Sequence, residues 1–229
     1  MTWTISECLS QPPATWVGSV YGVVLNHRAS LAALGDAVHQ PPYKAPPQWP
    51  VLYIKPRNTH LGSRDVTVPA DAPELELGAT LALVIGKTAS RVLPAKALDH
   101  VAAYLTVADV RVPHSVYYRP SVRYIARDGF CPMASLATPA SAVANPDELA
   151  VKVWVDDQLV HVTSTGDRIR GAAQLLADVT SYMTLQPGDL LLLGVSHGAP
   201  RVKAGQHSRI EIAGLAPLSN RFVSEEASC

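Results

Sequence analysis

Along the chain, apolar and polar positions switch in short bursts more often than they recur at helical spacing. SVYGVVLN (19–26), VLYIKP (51–56), DVTVP (65–69), TLALVIG (80–86) and HVAAYLTVADV (100–110) are rich in β-branched residues and bounded by Gly, Pro or charge, which predicts strands. LAVKVWVDDQLV (149–160) predicts a hairpin turning at Asp156-Asp157-Gln158. LLLLG, HSRIEIAG and LSNRFV add three later strands, the first entered through the LQPGD turn. Helical spacing is clear once: Ile169, Ala172, Ala173, Leu176, Val179 and Met183 recur at three- and four-residue steps, predicting a helix over 167–183 capped by Asp167. Shorter helices are predicted through HRASLAALGDA and PAKALDH, the second with proline at its start.

Breaks in the pattern set the organisation. QPPYKAPPQWP (40–50) carries five prolines, which forbid a helix or a central strand and demand an extended loop. Residues 1–17, with Pro12 and Pro13, read as an N-terminal arm ahead of one domain spanning 18–229. Residues 111–144 hold few periodic signals and read as loop with short elements. Strand outweighs helix, strands neighbour one another in sequence, and βαβ alternation is missing. The expected class is therefore α+β, β-rich, rather than a doubly wound parallel sheet.

Composition narrows the function classes. The 229 residues include 48% hydrophobic and 17% charged, enough apolar material for one sizeable core. Lys and Arg (19) equal Asp and Glu (19) and form no basic block, so a nucleic-acid backbone has no electrostatic surface to bind. Cys8, Cys131 and Cys229 are odd in number and far apart, which argues against disulfides and a metal knuckle and for a reducing cytoplasm. The N-terminus has neither a basic start nor a long apolar stretch, and no run reaches a membrane span, so no membrane partner is expected.

Few short motifs carry chemistry. Gly194-Val195-Ser196-His197-Gly198 spells G-x-S-x-G after a predicted strand, but Pro200 and Gly205 break the helix a nucleophile elbow needs, and no acid-then-His order follows. It reads as a tight glycine-bracketed loop. His27, His60, His114 and His161 sit near predicted turns without zinc-ligand spacing, and read as solvated or locally bonded imidazoles. Phosphate-binding glycine loops are absent. Arg119, Arg123 and Arg127 recur every four residues, so on a helix they would share a face. Two readings stand: a receiver of substrate carboxylates, or a solvated face paired locally with Asp128.

Read in order, the blocks from GVVLN near residue 22 to LSNRFV near residue 223 resemble the fumarylacetoacetate hydrolase family. LALVIGKTASRV, AYLTVADV, RDGFCPM and TLQPGDLLLLGVSHGAPRVKAGQHSRIEIAGLAPLSNRFV carry the resemblance. Within the family, LNHRASLAALGDA, PYKAPPQWPVLYIKPRNTHLG and YYRP are similar to the amino-terminal half of the bifunctional isomerase/decarboxylases of homoprotocatechuate degradation. That half also occurs as a separate subunit of about this length.

The resemblance implies a mixed β-roll or barrel with a few helices around Mg²⁺ or Mn²⁺, held by Glu-x-Glu at the start of the VIGK strand and an Asp in the next. Such a hard ion chelates a 2-keto carboxylate and stabilises the dienolate. Here the Glu-x-Glu positions are Gly78 and Thr80, and only Asp109 remains. No cofactor is therefore expected in this chain, Mg or Mn standing by analogy alone. The family's lysine three residues before Asp128 is Ile125, its carboxylate-receiving threonine is Val195, and its acid-base histidine is Ser30; Thr165 and Asp167 match a Thr-x-Asp loop.

The activity so implied is decarboxylation of 5-oxopent-3-ene-1,2,5-tricarboxylate and isomerisation of 2-hydroxyhepta-2,4-diene-1,7-dioate. Asp109 is the candidate catalytic acid, with Lys55, Arg57, Arg119, Arg123 and Arg127 as receivers of a small di- or tricarboxylate. The assembly expected is a homodimer or a heteromer with a paralogous subunit. A non-catalytic partner of a metal-bearing paralogue is the alternative.

Overall fold

The computed structural model describes residue 7, residues 9–114 and residues 121–225. In chain order its strands are β1 (Val20–Val24), β2 (Val51–Lys55), β3 (His60–Leu61), β4 (Val66–Val68), β5 (Leu75–Ile85), β6 (Val101–Arg111) and β7 (Cys131–Pro132). There follow β8 (Thr138–Pro139), β9 (Ala150–Val155), β10 (Gln158–Ser164), β11 (Leu190–Leu192), β12 (Arg201–Val202), β13 (His207–Ile212) and β14 (Leu218–Ser224). Between them the described residues form short helices, α1 (Arg28–Ala32), α2 (Pro94–Ala97), α3 (Val122–Ile125) and α4 (Ala172–Thr180).

The strands form a larger sheet ordered β2-β1-β11-β5-β6-β8, with β12 added on β5, a five-stranded sheet β10-β9-β13-β14-β4, and the small pair β3-β7. The fold is thus mostly sheet with few helices, as the alternation predicts. β5 and β6 run antiparallel from Glu76 opposite Arg111 to Ile85 opposite Val101, and nearly every residue of both is buried. Burial on both faces explains why they read as continuous apolar runs instead of alternating ones. β13 and β14 of the second sheet pack against β6. Of the residues read as an N-terminal arm, Pro13 and Val17 are buried, and Leu9, Ala14 and Trp16 lie against the core.

The hairpin turns where predicted, with Asp156 and Asp157 both left-handed at φ 49° and 61°. Two positive φ values give a two-residue turn whose twist matches the strands. Helices depart further from expectation. The stretch 27–37 gives α1 and then a separate 3₁₀ turn, Gly35–His39, entered by Gly35 at φ 50°. The helix expected over 167–183 is confined to α4, and Asp167 does not cap it but lies in the turn Thr165–Asp167. The cap comes from outside the local sequence: the Asp147 carboxylate accepts from the Ala172 N–H at 3.0 Å. A Cβ on Gly171 would lie 2.7 Å from Asp147 Oδ2, so the approach requires glycine there.

Candidate functional site

Alternation places side chains two residues apart on one face of a strand. On β5 and β6 that face carries Glu76 opposite Arg111, Gly78 opposite Asp109, and Thr80 opposite Val107. On β2 it carries Tyr53 and Lys55. β2 lies four ladder steps from β6 in the sheet order, about 19 Å in a flat sheet. Yet the Tyr53 hydroxyl donates to Asp109 Oδ2 at 2.5 Å, and Lys55 Nζ lies 2.7 Å from Asp109 Oδ1. The sheet is therefore strongly coiled, and its outer strand folds back over β6. Gly22 on β1 makes room, since a Cβ there would sit 2.1 Å from the Tyr53 ring.

Lys55 is wholly buried and Asp109 nearly so. The ammonium's three N–H groups go to the carbonyls of Val110 (2.7 Å), Ile125 (2.9 Å) and Phe130 (3.0 Å). Its contact with Asp109 Oδ1 is therefore ionic, and that oxygen receives no aligned hydrogen bond among the described residues. Burial works to raise the Asp109 carboxyl, but the Lys55 and Arg111 charges outweigh it and hold it below the ordinary range. Burial, with the Asp109 charge behind it, pushes the Tyr53 phenol well up, so Tyr53 is the donor of the pair. Burial likewise pushes the neighbouring Cys131 thiol up to about 12, which makes it inert.

This floor opens into a cavity of about 490 Å³ between Tyr53, Glu76, Asp109 and Arg111, the α1 segment and the loop 195–201. Glu76 is gripped by Arg111, whose Nε donates to Oε1 at 2.6 Å, and approached by Arg201 Nη2 at 3.6 Å. Burial of Arg111 is offset by the Asp109 and Glu76 charges, which keep it protonated. Lys55, Arg111 and Arg201 balance Asp109, Glu76 and Glu74, the last of which lies 3.7 Å from Arg201 Nη1, so the walls and floor carry no net negative charge to repel an anion.

The loop holds Ser196, whose Oγ lies 2.7 Å from His161 Nε2 on β10. Burial lowers the His161 pKa below 6.5, so the imidazole is neutral at pH 7 and can exchange a proton with the hydroxyl. The G-x-S-x-G segment is thus a glycine-bracketed loop, with Gly194 and Gly198 at positive φ, but its serine has a histidine partner that the local sequence could not reveal. A register shift between Leu159 and His161 re-aims this part of β10.

The donor set does not fit a divalent ion. A Cβ on Gly78 would meet Val195 Cγ2 at 2.6 Å and the Asp109 carbonyl at 2.9 Å, so Val195 fills the space a longer side chain would need. Thr80 is buried and donates to the Gly194 carbonyl at 2.9 Å. Asp109 already faces an ammonium and a phenol. Glu76, the other carboxylate of the lining, is taken by Arg111, so neither is left free to coordinate a hard cation. No group of three His, Cys, Asp or Glu converges among the described residues.

Of the residues singled out from the sequence, Asp109 lines the cavity and Lys55 stands directly behind it. Arg57 is exposed on the turn Arg57–Thr59, outside the lining. Arg123 and Arg127 both reach Asp71, Arg127 through bonds of 2.5 and 2.9 Å, and hold that carboxyl well below its usual range. Arg119 lies outside the described residues. Sequence reading passed over Tyr53, Glu76, Arg111, Arg201 and the Ser196–His161 pair. The first three were recoverable, since they fall two residues from Lys55, Gly78 and Asp109.

Comparison with known proteins follows the same lines. The model of the fumarylacetoacetate (FAA) hydrolase C-terminal family matches residues 19–223. A 4-hydroxyphenylacetate degradation bifunctional isomerase/decarboxylase of Escherichia coli is 37% identical over 208 residues, 91% of this chain and 48% of that protein. The chain spans about half the length of the curated relatives it matches first. A mitochondrial oxaloacetate tautomerase of Oryza sativa subsp. japonica is 32% identical, with 86% and 87% of the two chains covered. Among solved structures, maleylpyruvate hydrolase from Sphingobium sp. SYK-6, in complex with manganese(II) and pyruvate, superposes with a TM-score of 0.77 at 28% identity, over 94% of this chain and 74% of that one. With a family match over residues 19–223 and a 32% identical relative covered over most of both chains, the chain belongs to the fumarylacetoacetate hydrolase family.

Proposed function

We propose that this chain is one of two homologous units of the isomerase/decarboxylase of 4-hydroxyphenylacetate (homoprotocatechuate) degradation. Its cavity receives a small, unsaturated di- or tricarboxylate, such as 2-hydroxyhepta-2,4-diene-1,7-dioate or its tricarboxylate precursor. The observation that carries the reading is a half-length match to the bifunctional enzymes together with a cavity that keeps basic groups at its wall. Arg201 and Arg111 place guanidinium groups at the wall, the Nε–Nη2 edge of Arg111 being taken by Glu76, and the Tyr53 ring, its one O–H committed to Asp109, lines the floor beside them. Ser196 and neutral His161 form a hydroxyl–imidazole pair at this wall that can carry a proton to or from a substrate carbon. A cytoplasmic setting belongs to this reading, supported by the free, buried Cys131 thiol.

A second reading has its own support. Val195 packed onto Gly78 fills the first ligand position of the Glu-x-Glu pair, which favours a non-catalytic partner that completes the assembly of a metal-bearing paralogue. One experiment separates the two. Carbon dioxide release from 5-oxopent-3-ene-1,2,5-tricarboxylate and loss of the diene absorbance are followed for this chain, for such a paralogue, and for both co-expressed. The first reading expects a mixed complex whose turnover drops when Ser196→Ala or Arg201→Gln is placed in this chain. Unchanged turnover with those variants in a stable complex leaves the second reading. Separate elution, with full activity in the paralogue alone, sinks both.

A further inference from the structure

We infer that Lys55, behind the floor of this cavity, is a built-in cation that neutralises Asp109, so that a carboxylate ligand is held here without any divalent ion. The inference rests on the reading of a small dicarboxylate ligand given above and deepens it.

Three independent features support it. First, the Lys55 ammonium is locked: it is wholly buried, and its donors are saturated by carbonyls at the end of β6, the end of α3 and the residue before β7. It cannot swing aside to admit another cation beside Asp109. Second, the positions that would complete a metal cage are closed by packing, Gly78 by Val195 and Thr80 by its bond to Gly194. Third, the charge count depends on Lys55. Without it, Asp109, Glu76 and Glu74 would outnumber Arg111 and Arg201, and the cavity would present an unscreened carboxylate to an anion. With it, Asp109 is neutralised from behind, and Arg111 and Arg201 face the ligand.

The ligand does not touch Lys55, which acts through Asp109 and is a positioning residue. Tyr53 is the contact through which this floor meets the ligand, since its ring lines the cavity while its hydroxyl is fixed by Asp109. The class of ligand follows: a short dicarboxylate, one end at Arg201 and Arg111, the other towards the loop 196–199, whose N–H groups donate to no acceptor among the described residues.

The test is calorimetric titration of the purified full chain with glutarate and with oxalate, in EDTA and again in MnCl₂, with manganese measured after gel filtration. Dicarboxylate affinity is expected to agree within about twofold between the two buffers, with no manganese retained. Arg201→Gln, at a half-exposed side chain, is expected to weaken binding about tenfold while the chain stays folded. Lys55→Met is expected to weaken it at least as much, and Lys55→Met with Asp109→Asn, which removes the stranded charge, to bind nearly as the parent does; unchanged binding in Lys55→Met alone would overturn the inference. Stoichiometric manganese, binding seen only with MnCl₂, or no dicarboxylate binding in either buffer would each overturn the inference. Chelator-resistant binding without turnover would sink the catalytic reading alone.

Discussion

Removing the Lys55 ammonium would leave the Asp109 carboxylate buried with Tyr53 as its one aligned donor. A buried charge stripped of its partner costs about 3–5 kcal/mol, so Lys55→Met is expected to lower the unfolding free energy by that amount in a urea titration. Adding Asp109→Asn should recover part of the loss, because the stranded charge goes with it. A loss under about 1 kcal/mol in the single variant would mean that water reaches the pair. At this scale the sequence was partly legible. Tyr53 and Lys55, or Asp109 and Arg111, share a face by strand periodicity alone. That the two faces meet could not be read, because β2 reaches β6 through the coil of the whole sheet. Ser196 and His161 were equally hidden, being 35 residues apart and joined by a loop approaching β10.

Elements were more legible, because each rests on local pattern. Asp156 and Asp157 already mark the hairpin, and both hold positive φ. Asp156 is committed, accepting from Gln206 Nε2 and the His207 N–H, while Asp157 is 85% exposed. Asp157→Gly is therefore expected to raise stability by about 0.5–1 kcal/mol, read as a higher melting temperature, since glycine relieves the left-handed strain. Helix ends were less legible. The cap of α4 is Asp147, 25 residues before Ala172, and it also stands 3.7 Å from the buried Arg168 guanidinium, so Asp147→Ala is expected to cost more than the roughly 1 kcal/mol of a cap alone in a denaturant titration. Asp167→Ala, by contrast, should leave the helix cap intact. If Asp167→Ala proves as costly as Asp147→Ala, the assignment of the cap is wrong.

The molecule as a whole should respond to acid in two stages. Burial holds His27, His60 and His161 below the ordinary 6.5. The unfolded chain then binds more protons than the folded one just below pH 6.5, so stability is complete above that pH and falls as pH drops through the window. Asp109, held below 3.8, contributes stability that is present above 3.8 and lost below it. Melting temperature against pH is expected to be flat above neutrality, to decline from about 6.5, and to fall more steeply below about 4. A curve flat down to pH 4.5 would mean that the three imidazoles are not desolvated. The sequence by itself determined the strand-rich class, the hairpin, the buried runs of β5 and β6 and the missing carboxylates at 78 and 80, because these depend on residue type and short-range period. Only the tertiary structure decided that Lys55 lies beside Asp109, that Val195 fills the space above Gly78, and that Ser196 meets His161. Those contacts depend on how far a long sheet coils and where its loops fall, and neither leaves a mark in any short window of the chain.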